Sequence, residues 1–133
     1  MASHATEEQD LHAERLSVLE RFGQAWARAD IEQLMSLITD DCVYSASVGP
    51  EPGCTYAGHA AVREGFASML AFDASGEPRE GRTFVAGCLA VAEWSYVHRS
   101  TAGDRREVRG CDIVEFRGRQ ICRKDAFRKC EAA

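Results

Sequence analysis

The sequence predicts an α+β fold in which a strongly curved, mainly antiparallel sheet wraps around N-terminal helices and encloses a pocket. Three observations predict it. Up to Phe72 most apolar residues recur at helical intervals of three and four. From Arg82 onward the period changes to the two of β-strands, and such segregation signals helices covering one face of a sheet. The length, 133 residues, suits a single domain spanning residues 1–133. A chain of that size buries roughly two thirds of its surface, which leaves room for a core with an interior.

The first helix is expected from near Thr6 to Ala29, with residues 1–7 flexible. Leu11, Val18, Phe22, Ala25 and Ala29 fall on one face. Asp30 then offers an N-cap, and Gln33 stands where it would complete a capping box. The short second helix carries Ile31, Leu34, Met35 and Ile38 inward. Asp40 and Asp41 follow as turn formers. "CVYSASV" is a strand candidate, and "GPEPGC" is a loop because prolines and glycines interrupt regular structure. "GHAAVREGFASMLAF" is a third helix, with His59 at its start in a local role and Val62, Phe66, Met69 and Leu70 inward. "DASGEPREG" breaks it. "RTFVA" is a short strand, "LAVAEWSYVHRS" a long one, and "TAGD" the turn into "RREVRGCDIVEF" and "RQICRKDAFRK".

Charge narrows the function classes. The net charge is −5 and the pI about 5.4. Nucleic-acid binding needs a basic footprint that displaces counterions, so no nucleic-acid partner is expected. The arginines of the last third are interleaved with acids and read as a solvated face. No apolar run approaches the roughly 18 residues that span a bilayer, and "MASHATEEQD" resembles neither a signal nor a transit peptide. No membrane partner is expected, and the cytoplasm is the default location. The six cysteines (Cys42, Cys54, Cys88, Cys111, Cys122, Cys130) form no C-x-x-C pair. Most are expected to be free thiols rather than zinc ligands, with a Cys111–Cys122 disulfide across the hairpin as the lesser alternative. Neither a metal site nor a cofactor is expected.

The candidate site lies in "RGCDIVEFRGRQICRKDAF". Side chains alternate along a strand. Asp112, Val114 and Phe116 share one face of the first arm, and Ile121, Arg123, Asp125 and Phe127 share one face of the second. Phe116 is expected opposite Arg119 or Ile121, and either register puts the two aspartates on the same apolar face. Their Cβ atoms would lie about 5 Å apart if directly opposed and about 7–8 Å apart on the diagonal. Burial raises a carboxyl pKa, and a neighbouring carboxylate raises one of the pair further. One acid and one base would result, as proton transfer requires. His98, at the end of "WSYVH", is a possible relay. Phe22, Trp26, Tyr44, Phe66, Trp94 and Tyr96 are candidate pocket walls, with Val114, Arg123 and Phe127 beside the acids. On the opposite, outer face Cys111, Ile113, Cys122 and Ala126 form an apolar strip suited to a homodimer contact.

The order of "D…L..LITDDCVY", "Y.GHAAVREGF" and "GCDIVEFRGRQICRKDAF" over residues 8 to 129 resembles the SnoaL-like branch of the nuclear-transport-factor-two-like superfamily. That group includes ketosteroid isomerases, limonene-type epoxide hydrolases and polyketide cyclases. By this resemblance Asp112 matches the oxyanion-binding acid of the isomerases. Phe22 stands where they have a tyrosine, and the place of their base falls near Ala46 or Ser47, where there is no carboxylate. "GRQICRKDAF" repeats the Gly118, Arg119, Asp125 and Phe127 spacing of the epoxide hydrolases, but "AEWSYV" lacks their earlier Arg and Asp. In the cyclases an aspartate near the end of the sheet is the acid/base, a role open to Asp112 or Asp125. The resemblance thus implies an enzyme acting on a compact, mostly apolar small molecule by isomerisation, cyclisation, dehydration or hydration. A non-catalytic ligand-binding or dimerising module of the same fold is the alternative.

Overall fold

The computed structural model describes residues 4–129, with side chains from Thr6 onward. Expectations for residues 1–3 and for Cys130 lie outside the described residues. Residues 4–7, expected to be flexible, open the first helix. The elements run α1 (His4–Ala27), α2 (Ile31–Ser36), β1 (Ile38–Ser45), β2 (Thr55–Ala57), α3 (His59–Phe72), β3 (Glu77–Ala86), β4 (Leu89–Arg99), β5 (Arg105–Arg117) and β6 (Gln120–Lys129).

α1 buries Arg15, Val18, Leu19, Phe22 and Ala25, one stripe at intervals of three and four. Ala29, expected on that stripe, instead ends the helix with a φ of 54°. Asp30 then caps α2, its carboxylate accepting from Gln33 N at 3.2 Å. Val62 and Phe66 of α3 meet Leu34, Cys42 and Tyr44 in the core.

The six strands form one sheet in the order β2-β1-β6-β5-β4-β3, antiparallel except for the β1–β6 pair. The helices cover one face, as the α+β reading expects. β3 is longer than the expected "RTFVA" because "EPREG" continues it. β3 is an edge strand, where the missing N–H of Pro78 interrupts no inner ladder. Asp40 and Asp41 lie within β1 rather than in a turn, and Asp41 accepts from Arg117 at 2.8 and 3.0 Å.

The last hairpin corrects the face assignment. Its turn has Gly118 at φ 62° and pairs Phe116 with Ile121, one of the two registers expected. Glu115, however, pairs with Arg123 rather than Cys122. Cys122 is therefore an extra residue, a β-bulge, and its thiol donates to Glu115 O at 3.5 Å. A single inserted residue inverts every side chain beyond it. Lys124, Ala126 and Arg128 turn inward beside Asp112 and Val114, while Arg123, Asp125 and Phe127 turn outward. Ala126 is thus buried and cannot join an outer strip with Cys111 and Ile113.

Arg15 ties the helix to two turns. It donates to Gly118 O at 2.9 Å and to Gly87 O at 2.6 Å, and its guanidinium lies over the Phe116 ring.

Candidate functional site

Between α1, α3 and the inner sheet face lies a cavity of about 430 Å³, within the range of small-molecule sites. Its walls include Phe22, Trp26, Tyr44, Trp94, Tyr96 and Val114. Phe22 and Trp26 face inward from α1 by its helical period, and strand alternation aims Tyr44, Trp94, Tyr96 and Val114 inward from β1, β4 and β5. Phe66, expected on the wall, is fully buried behind it, packing edge-on against Phe22 and Trp26.

Two ion pairs are set into this apolar surface. In the first, Lys124 Nζ lies 3.4 Å from Asp112 Oδ2, and the two side chains are only 5% and 12% exposed. Trp94 Nε1 donates to Asp112 Oδ1 at 3.0 Å. The ammonium also stands over aromatic rings, 4.3 Å from the Trp26 centroid and 4.7 Å from that of Tyr44, with Phe22 and Phe66 beyond 5.5 Å. This is a cation–π cage whose occupant is the protein's own lysine. In the second, Arg128 donates to both Asp73 oxygens, at 3.2 and 2.7 Å, and to Ser47 Oγ at 3.1 Å. Its guanidinium lies over Trp94, so that indole touches both pairs.

Burial governs the tyrosines. It lifts the Tyr44 hydroxyl far above the ordinary range, and the Asp112 carboxylate adds to the effect. Burial also pushes Tyr96 up to about 12, although its hydroxyl accepts from Trp26 Nε1 at 2.7 Å. Neither phenol ionises at neutral pH. Each can only donate or accept a hydrogen bond there.

The expected aspartate pair does not meet. Asp125 faces outward, opposite Ile113, and its carboxylate lies 3.5 Å from Arg123 on the same outer face. Arg123 and Phe127 are likewise outside, and Phe127 is half exposed. The bulge at Cys122 is the physical reason for all three. His98 does not line the cavity. Its ring lies tilted beside that of Tyr96 and approaches Ser75 Oγ at 3.4 Å. Opposite Asp112, where Asp125 was expected, the fold puts Ala126, and Lys124 comes in one step along, opposite Val114. Lys124, Asp73 and Arg128 were not among the expected site residues. One signal pointed to Lys124: it and Lys129 are the chain's two lysines among 16 basic residues. Asp73 gave none, because its partner is 55 residues away.

Among the described residues no three metal-ligating side chains cluster, and the five described cysteines are free. No described helix is long and apolar enough to cross a membrane.

Similar solved structures share this architecture. An NTF2-like protein of unknown function from Mesorhizobium loti is 24% identical, with a TM-score of 0.73 over 90% of this chain and 93% of that one. A putative polyketide cyclase from Xanthomonas campestris pv. campestris is 18% identical, with a TM-score of 0.66 over 88% and 91%. TerC, co-crystallised with polyporic acid, is 16% identical, with a TM-score of 0.71 over 87% and 92%. No curated protein matches the chain. The sequence itself matches the SnoaL-like domain over residues 19–124. With that match and the NTF2-like fold around the cavity, the chain belongs to the SnoaL-like domain family, whose members include pocket-bearing proteins for small molecules.

Proposed function

We propose that this protein is an enzyme acting on a compact, mostly apolar small molecule, with its own side chains supplying acid and base. The observation that carries this reading is the Asp112–Lys124 pair, 3.4 Å apart and buried in the wall of a 430 Å³ cavity. A carboxylate and an ammonium set side by side in one pocket wall can take opposite parts in proton transfer. Asp112 accepts a proton from the ligand, and Lys124 donates a hydrogen bond to the oxygen that gains negative charge. Lys124 thus fills the acid's part that the sequence suggested for a second aspartate. Isomerisation, aldol-type cyclisation and dehydration all need this pair of roles. The putative cyclase among similar structures favours the same group of reactions.

The outer sheet face suggests a homodimer. Ile113 and Phe127 are exposed there, with Phe84 and Leu89 also exposed, and like patches often mark contacts. The same strip favours a dimerising module without chemistry as the second reading.

The deciding experiment is a panel of enolisable and hydroxylated apolar substrates assayed with Asp112→Asn and Asp125→Asn. Loss of turnover in the first and retention in the second supports the proposal. Equal activity of both with the parent protein removes Asp112 from the chemistry.

A further inference from the structure

Fourteen of the 16 basic residues are arginines, yet the basic side chain that stands over the Trp26 and Tyr44 rings is a lysine. The difference is chemical. A guanidinium stays protonated, whereas an ammonium that sheds a proton becomes a nucleophilic amine. Asp112 Oδ2, at 3.4 Å, is near enough to take that proton. The rings of Trp26 and Tyr44 that hold the ammonium would equally hold any other cation formed at Nζ.

We infer that Lys124 condenses with an aldehyde or ketone held in the cavity, forming a Schiff base with Asp112 as the proton relay. The inference rests on the cavity admitting a small molecule. Asp112 first takes one proton from the Lys124 ammonium. The free amine adds to the carbonyl carbon as the C=O π bond breaks, and its proton passes to the new alkoxide, giving a carbinolamine. Asp112 then returns its proton to the hydroxyl. The C–O bond breaks, water leaves, and the nitrogen lone pair forms the C=N bond of an iminium. One ammonium and one carbonyl compound have become one iminium and one water, with total charge unchanged. The iminium replaces the ammonium over the same rings. The ligand class is a compact carbonyl compound with an apolar or aromatic body that packs between Phe22 and Trp94.

The test uses Lys129→Arg, which leaves Lys124 as the lone lysine. Lys129 is exposed and outside the cavity. The protein is incubated with benzaldehyde and cyanoborohydride, and the adduct is located by peptide mass mapping. The expected result is one benzyl group on Lys124. In the Asp112→Asn background its formation should slow by about a hundredfold, the lower end of general acid–base effects. The N-terminal amine, labelled in both, is the internal standard. An N-terminal adduct without one at Lys124, or an unchanged rate in Asp112→Asn, overturns the inference. Fluorescence separates the two readings, because both tryptophans, Trp26 and Trp94, line the cavity. Quenching by benzaldehyde without a Lys124 adduct overturns the Schiff base and leaves the small-molecule pocket standing. Absence of both overturns the two together.

Discussion

Lys124 meets Asp112 across the sheet because Cys122 is one residue too many for its ladder. Without that bulge Lys124 would face solvent, and Arg123 would stand beside Asp112. With it, a carboxylate and an ammonium are buried together at 3.4 Å. Such a pair is a weak source of net stability, but either half alone is a strong source of instability. Lys124→Met should therefore lower unfolding stability by about 3–5 kcal/mol, the typical effect of stranding a buried charge. Adding Asp112→Asn should recover much of that loss. Urea unfolding of the two single variants and the double variant gives the coupling directly. Simple additivity would mean that the two groups do not depend on each other.

Asp125 should behave in the opposite way. Its contact with Arg123 is 3.5 Å long, and the arginine is about half exposed. Exposed pairs contribute about 1 kcal/mol or less. Asp125→Asn should leave the urea midpoint nearly unchanged and should not alter ligand quenching of the cavity tryptophans. A large change in either would return Asp125 to the inner site.

These two aspartates show how far the sequence could be read. The alternation in "CDIVEF" placed Asp112 and Val114 inward correctly, because β5 pairs with β4 without interruption. The same rule applied to β6 failed after Cys122. Both turn registers preserved parity, whereas a bulge breaks it, and nothing in the residue pattern of "QICRKD" marks one. The inward aromatics Phe22, Trp26, Tyr44, Trp94 and Tyr96 were legible because helix and strand periods are local. Asp73 was not, since only the return of β6 past the end of α3 brings Arg128 to it.

Gly110 tests the support beneath Asp112. A Cβ there would lie 2.3 Å from Phe127 O and 2.3 Å from the Trp94 ring. The backbone of β6 cannot yield cheaply, so the indole must move, and with it the donor to Asp112. Gly110→Ala should cost about 1–3 kcal/mol, as overpacking usually does, and should shift Trp94 emission. In a Trp26→Phe background the emission comes from Trp94 alone. Unchanged emission and stability would show that the site tolerates the methyl group and that Trp94 is not held there.

Alkaline pH should weaken the fold through groups that the core keeps neutral. Burial pushes the Tyr96 hydroxyl from its ordinary 10 to about 12, and the Cys42 thiol from 9 to about 12. In both cases the folded chain holds the proton more tightly than the unfolded chain. Their contribution to stability is therefore complete below about pH 9 and is lost as pH rises toward 12. The urea midpoint should fall between about pH 9 and pH 12, and tyrosinate absorbance from the buried phenols should appear together with unfolding. Arginines do not titrate in this window, so ion-pair loss at arginine is not the cause. Tyr96→Phe also removes the acceptor for Trp26 Nε1 and should be less stable at pH 8. Its midpoint should nevertheless fall less steeply with pH than that of the parent. An equal slope in the two proteins would mean that Tyr96 ionises in the fold as readily as it does in the unfolded chain.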